Sequence, residues 1–310
     1  MYFHPLKPND PMRKIILSVL AILLLSLTAV YLFIPSQILI KGSQLVYQPT
    51  PSVIRGMMQT SKWSEWMPKD IALNATSSLV ATIQTTLNQD GIEVPVVFSI
   101  IGGADKNALI GFETSMDNSQ WSPIARIQYY LFAKKIQNKL DRVLAAAVSY
   151  YNYSKGIYGF DIEETRVTDS SLIAIDQVLP DTPSTVQIYQ MVAQLEQHIV
   201  TKNGKATGSP MVNITKMDEN QIHTQVAIPL ERDINVSDGF TIKKMVLGNL
   251  LSVKVQGDQA KVDQAFEATK QYINDKQKTS PAIPFVIYNT NRLLEKDSSR
   301  WVSTINYPIY

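Results

Sequence analysis

The stretch from Leu250 to Lys276, LLSVKVQGDQAKVDQAFEATKQYINDK, decides the fold of the second half of the chain. Its first residues place apolar side chains at alternating positions, which is typical of a β-strand. Gly257 and Asp258 then end the strand, and an aspartate at this point is a favoured first residue of a helix. We therefore predict a strand that leads directly into a helix over Asp258 to Lys276.

The same order of elements occurs twice in the last half of the chain. The first copy comprises a β-rich stretch, a helix and two strands, at residues 157–178, 185–200, 210–215 and 222–230. The second copy repeats this order, at residues 241–256, 258–276, 284–290 and 301–309. A β-α-β-β module with one open sheet face is not stable singly, so we predict that the two modules pair. Their seam is a natural place for a cleft.

This second half, residues 157–310, resembles the GyrI-like domain, the effector-binding domain of bacterial multidrug-responsive transcription activators. The resemblance rests on Gly257-Asp258 before the last helix, on Ile287-Tyr288-Asn289, and on Trp301 followed by Pro308-Ile309. It implies a small-molecule pocket. The family carries Thr-Glu-Ile-x-x-Pro on its last strand, and that Glu recognises cationic ligands. In this chain Thr304 stands at the position of the Glu, which implies a preference for mostly apolar ligands.

Four residues are candidates for contact with such a ligand. Tyr288 and Trp301 come from the two closing strands of the second module, and large aromatic side chains with a polar tip commonly line pockets. A plain core role for both remains an alternative. Thr304 is a candidate through the resemblance. Glu163 shares a predicted strand with Glu164, so the two face opposite sides, and Glu163 is the acid that could replace the missing Glu.

The sequence gives little support for catalysis. It lacks Gly-x-Ser-x-Gly, His-Glu-x-x-His and Walker patterns, has no Cys and has three His. His198 and Glu196 point apart on a helix, and we expect His198 on the surface. Without the family's Glu, the hydrolytic mechanism suggested for some relatives also lacks its general base. We predict no catalytic residue, no metal site and no cofactor.

The beginning of the chain predicts a membrane anchor. Residues Ile15 to Ile34 contain no charge over a length that crosses a bilayer as a helix. The run ends in bulky aromatic residues, which favours an uncleaved anchor over a cleaved signal peptide. Basic residues before the run place the N-terminus, residues 1–14, in the cytoplasm. We therefore expect a single-pass protein of the bacterial inner membrane, with everything after Pro35 outside the cytoplasm.

A third segment, residues 43–155, lies between the anchor and the repeat. Its Trp63-x-x-Trp66-x-Pro68 motif, after a strand and a short helix, resembles the start of SRPBCC or START-like domains of the polyketide-cyclase type. That resemblance implies a helix-grip fold. Apolar residues spaced by three and four predict a long helix over Ser122 to Asn152. Asp90-Gly91 predicts a hairpin, and LVATIQTTL, from Leu79 to Leu87, is interpreted as one strand.

Composition agrees with a folded body beyond the anchor. The chain has 310 residues, 45% of them hydrophobic and 18% charged, and a formal net charge of +2. So small a charge does not favour nucleic-acid binding, and no helix-turn-helix region accompanies the effector-like part. We predict an α+β protein that binds small, mostly apolar molecules without catalysis. Two alternatives stay open: a hydrolase of a hydrophobic or electrophilic compound, and an envelope scaffold or interaction module.

Overall fold

The computed structural model of the protein describes residues 11–167, 171–218, 221–245 and 247–310. The chain forms two compact units, Met1–Asn152 and Tyr153–Tyr310. Each unit contains one antiparallel sheet and helices, so the α+β class is as predicted. Of the predicted cytoplasmic segment 1–14, the first ten residues lie outside the described part of the chain.

The first helix, α1, spans Pro11–Phe33. Its segment Lys14–Phe33 has a mean hydropathy of 2.7, and its side chains are not buried by the rest of the protein. It is the one helix among the described residues that is long and apolar enough to cross a membrane. Just after α1, the Arg126 guanidinium donates to the Ile34 carbonyl from Nε at 3.0 Å and from Nη2 at 2.6 Å. These bonds tie the end of α1 to the body of the first unit.

The first unit is built on a five-stranded sheet and one long helix. Its strands are β1 (Gln37–Pro49), β2 (Leu73–Leu79), β3 (Thr82–Gln89), β4 (Ile92–Gly102) and β5 (Asn107–Asp117). They lie in the order β1-β5-β4-β3-β2. A short helix, α2 (Thr50–Met58), follows β1. The predicted long helix is confirmed as α3 (Pro123–Tyr151), which packs on β1 and β5, and Ser122 caps it by accepting a hydrogen bond from the Ala125 amide.

Two turns connect neighbouring strands of this sheet, and the sequence predicted one of them but not the other. The predicted hairpin at Asp90-Gly91 is present, and both residues have positive φ, as a type I′ turn requires. The interpretation of Leu79 to Leu87 as one strand is wrong. The chain reverses at Val80 and Ala81, with Val80 at φ 53°. A β-branched residue in this conformation is uncommon, and no Gly or Pro marks the turn.

The paired tryptophans belong to the core of the first unit. Trp63 and Trp66 are both buried, with ring centroids 5.7 Å apart. The ring centroid of Trp63 lies 6.0 Å from that of Phe98, and the ring centroid of Trp66 lies 5.9 Å from that of Tyr151. These contacts join the segment after α2 to the sheet and to the last turn of α3.

The second unit contains an eight-stranded sheet. Its strands are β6 (Glu163–Arg166), β7 (Ser171–Leu179), β8 (Met211–Asp218), β9 (Gln221–Leu230), β10 (Thr241–Lys244), β11 (Asn249–Gln256), β12 (Phe285–Tyr288) and β13 (Val302–Ile309). Three helices complete it, α4 (Ser154–Tyr158), α5 (Thr185–Thr201) and α6 (Gln259–Asp275). The strand order, β10-β7-β9-β8-β12-β13-β11-β6, is the same from either end once the two copies of the repeat are exchanged.

The two copies of the repeat exchange their first strands. Strand β6 is the first strand of the first copy but pairs with β11 of the second. Strand β10 is the first strand of the second copy but pairs with β7 of the first. The predicted continuous β-rich stretch over residues 157–178 is correspondingly broken, because it begins in α4 and contains two separate strands. Within that stretch, residues 168–170 lie outside the described residues.

Local sequence explains where the two main helices of this unit begin. Ser184 and Gln187 form a reciprocal capping box at the start of α5. Asp258 accepts a hydrogen bond from the Lys261 amide at 3.1 Å and so caps α6. The preceding Gly257 has φ 141°, a conformation that residues with a side chain rarely adopt. The strand-to-helix junction predicted from the sequence is therefore confirmed.

The strand exchange predicts that neither module folds by itself. Residues 153–236 lack β10 and the partner of β6, whereas residues 237–310 lack β6 and the partner of β10. We expect each fragment alone to be unfolded or aggregated, and an equimolar mixture to recover the β signal in far-ultraviolet circular dichroism and a 1:1 complex by size-exclusion chromatography. A native-like spectrum from either fragment alone would contradict this account.

Candidate functional site

A cleft of about 610 Å³ opens at the seam between the two modules of the second unit. The seam is the pairing of β8 with β12, at Val212 opposite Val286 and Met211 opposite Ile287. Helices α5 and α6 flank it. Apolar lining comes from both helices and from the central strands, namely Ile188, Val212, Ile214, Phe266, Val286 and Tyr307. The cleft thus lies where sequence analysis expected one, at the junction of the repeat.

Side-chain alternation decides which strand residues reach the cleft. In the β12–β13 ladder Tyr288 lies opposite Ser303, and Ile287 lies opposite Thr304. Side chains of opposite residues share a face, and successive residues alternate. Tyr288 lines the cleft, so Ser303 is on the cleft side and Thr304 is on the other face of the sheet. Thr304, which the family resemblance made a candidate for ligand contact, therefore does not line this cleft. Its hydroxyl instead donates to Asn289 Oδ1 at 2.8 Å.

Of the other two candidate residues, one lines the cleft and one does not. Trp301 lines the cleft, and its indole Nε1 donates to the Glu295 carbonyl at 2.8 Å. Glu163 is exposed on β6, the edge strand, and does not line the cleft. Its neighbour Glu164 pairs with Lys278 at 2.8 Å. The structure thus brings Tyr288 and Trp301 together and leaves Thr304 and Glu163 outside.

Arg292 is the cleft residue that sequence analysis missed. Its guanidinium carbon lies 3.7 Å from the centroid of the Tyr288 ring and 4.9 Å from that of Trp301. Such distances are those of cation–π contacts. The side chain is only 6% exposed. No motif identifies this residue, since it is one of two arginines, with Arg300, in the polar loop between β12 and β13.

Three elements fix the position of Arg292. Its Nη1 donates to Gln259 Oε1 on α6 and its Nη2 to Ser303 Oγ on β13, both at 2.9 Å. Its backbone amide donates to the Tyr189 hydroxyl on α5 at 2.9 Å. The same hydroxyl donates to the Thr290 carbonyl at 3.2 Å. The loop is consequently fastened to both helices that flank the cleft.

Two carboxylates also line the cleft, and both have partners. Asp263 Oδ1 accepts from Gln259 Nε2 at 2.9 Å. Glu267 pairs with Lys270 at 2.6 Å, and this hydrogen bond raises the pKa of Lys270. Burial raises the pKa of the Tyr288 phenol, while the nearby Arg292 cation partly opposes that shift. Tyr288 therefore remains a neutral phenol at physiological pH.

His198 is not among the residues that line the cleft. His198 was expected on the surface, but it is buried and stacks on Phe240, with ring centroids 4.3 Å apart. The amphipathic pattern of α5 turns this position toward the core. Among the residues that the structure describes, no group of three His, Asp or Glu side chains is arranged to hold a metal ion.

Comparison with known proteins finds similarity only among solved structures. No protein-family model matches the chain, and no curated protein matches it. The EcmrR C-terminal domain is 11% identical, with 49% of this chain and 98% of that chain covered and a TM-score of 0.43. SAV2435 bound to tetraphenylphosphonium is 16% identical, with coverages of 48% and 94% and a TM-score of 0.32. A hydrolase from Listeria innocua is 9% identical, with coverages of 48% and 91% and a TM-score of 0.37.

Proposed function

We propose that the second unit is a GyrI-like domain whose seam cleft binds small, mostly apolar molecules without transforming them. The observation that carries this proposal is the cleft itself, an open volume of about 610 Å³ bordered by aromatic and aliphatic side chains together with polar and charged ones. Clefts that bind small molecules have volumes of roughly 300–1,000 Å³ and are mostly apolar with a few fixed polar groups. Arg292, Gln259 and Ser303 are such fixed groups here.

The state of the carboxylates favours binding over hydrolysis. A general base needs a free lone pair to take a proton from an attacking water, and a carboxylate that already has a partner offers fewer of them. Asp263 accepts a hydrogen bond from Gln259, and Glu267 is held by Lys270. Their presence in the cleft is the observation that keeps a hydrolase as the second candidate. The open volume argues against a scaffold whose pocket is filled by its own side chains.

For the first unit we propose a short START-like fold next to the bilayer, with α1 as the anchor. The supporting features are the strand order that places β1 beside β5, the helix after β1, and the long last helix across the sheet. The uncharged helix α1 supports insertion in the bacterial inner membrane. Both units would then lie outside the cytoplasm.

Ligand binding at the seam is tested by a charge placed on the cleft wall. Ile214 lines the cleft on β8 and is 38% exposed, so Ile214→Glu should leave the fold intact. It should weaken binding of a neutral aromatic probe, 1-naphthamide, by about tenfold, because apolar contact is lost and a carboxylate is desolvated. The shift of the Trp301 resonance in the full chain labelled with 5-fluorotryptophan, assigned through Trp301→Phe, reports binding.

The matched control for this experiment lies on the same strand. Met217 is 61% exposed and does not line the cleft, so Met217→Glu adds the same charge without touching the site. Binding by this variant should equal that of the wild type. Equal weakening by both variants, or no response of Trp301 to the probe in the wild type, would refute binding at the seam.

The orientation in the membrane is tested by reporters fused after Tyr310. Alkaline phosphatase, which is active only outside the cytoplasm, should be active in the fusion. A fluorescent protein that folds only in the cytoplasm should stay dark there. Deleting residues 1–36 should reverse both signals and release the protein from the membrane fraction, because the anchor is lost. The opposite pattern for the full-length fusions would show that the orientation is wrong.

A further inference from the structure

We infer that the ligand of the seam cleft carries an anionic oxygen group, a carboxylate in the simplest case, beside its apolar body, and that Arg292 receives that group. This inference rests on the proposed binding function and names the ligand class. It differs from the expectation drawn from the family resemblance, which considered only the loss of an acid at position 304. The cleft contains a cation of its own.

The first observation is the burial of this charge without a carboxylate partner. Arg292 is 6% exposed, and among the described residues its guanidinium forms no salt bridge with an Asp or Glu. Its two side-chain hydrogen bonds go to neutral acceptors, Gln259 and Ser303. Buried charges in proteins are ordinarily paired, because removing a charge from water is costly. A ligand anion would supply the missing counter-charge.

The second observation is the number of guanidinium donors that have no protein acceptor. A guanidinium has five N–H groups in a planar fork. Two of them have the acceptors just named, and Nε has no hydrogen-bond partner although it is buried. Within the described residues, the other three N–H groups thus lack a protein acceptor. Because a carboxylate can accept two parallel hydrogen bonds from one guanidinium, its geometry matches this deficit.

The contacts of Arg292 with aromatic rings also favour an anionic ligand over a cationic one. The faces of Tyr288 and Trp301 attract cations, and both are already in contact with Arg292. A cationic ligand that approached these rings would meet a like charge. An anionic ligand would meet a guanidinium that the rings hold in place, so little side-chain entropy would be lost on binding.

The remaining charges of the cleft do not cancel this preference. Asp263 is linked to Arg292 only through Gln259, which donates to Asp263 and accepts from the guanidinium. Glu267 is paired with Lys270. Lys216, at the exposed end of the lining, adds a further positive charge. The field along the cleft therefore favours an anion whose charged end reaches Arg292.

Three probes of nearly equal shape test the inference on the full chain: 1-naphthoate, neutral 1-naphthamide and cationic 1-naphthylmethylammonium. Dissociation constants come from the Trp301 resonance of the fluorotryptophan-labelled protein at neutral pH. We expect naphthoate to bind at least about tenfold tighter than naphthamide, as for a hydrogen-bonded charge pair, and the cation to bind most weakly. In Arg292→Gln, naphthoate and naphthamide should bind equally. Arg292→Lys, which keeps the charge but loses the fork, should retain part of the preference.

Lys216→Gln is the matched control, since it removes a cation that also lines the cleft but lies at its exposed end. It should leave most of the naphthoate preference intact. If Arg292→Gln does not fold, the order of the three dissociation constants measured on the wild type tests the inference. Equal or tighter binding of naphthamide, or loss of the preference only in Lys216→Gln, would overturn the assignment to Arg292 while leaving the binding function standing. No Trp301 response to any probe would overturn both.

Discussion

The exchange of first strands between the two halves of the repeat is the constraint on which the second unit depends. Strands β8 and β12 meet over only two residue pairs at the seam, which is a short contact for a sheet of eight strands. The exchange adds the ladders β6–β11 and β10–β7, so each half completes the sheet of the other. The two helices are held apart over the seam as a result, and the space between them is the cleft.

The cleft chemistry follows from that geometry through the alternation of side chains along a strand. A shift of one residue on β13 exchanges Ser303 for Thr304 at the cleft face. Ser303 is therefore the residue that can hold Arg292, and Thr304 interacts with Asn289 on the other side. The buried positive charge in the cleft, Arg292, lies in the loop after β12, which Tyr189 fastens to α5. The ligand preference that we propose thus depends on a loop residue.

Local patterns predicted the elements of this fold better than their arrangement. The Gly257-Asp258 junction, the helix from Ser122 and the Asp90-Gly91 hairpin depend on neighbouring residues, so sequence alone located them. The strand exchange depends on pairing between distant segments, which no local signal encodes. Tyr288 and Trp301 could be named from their chemistry. The strand register was needed to tell which face of the sheet carries Thr304. The folded positions of α5, α6 and β13 were needed to find that Arg292 lies in the cleft.

Hydrogen exchange of the full chain with and without 1-naphthoate tests the central claim most directly, because it locates the ligand without assuming a contact residue. The account predicts slower exchange of backbone amides in β8, in β12 and in residues 289–301, with no change in the first unit. These segments border the seam and the Arg292 loop. Protection confined to the first unit, or to the face of the sheet that carries Thr304, would contradict a ligand site between α5 and α6.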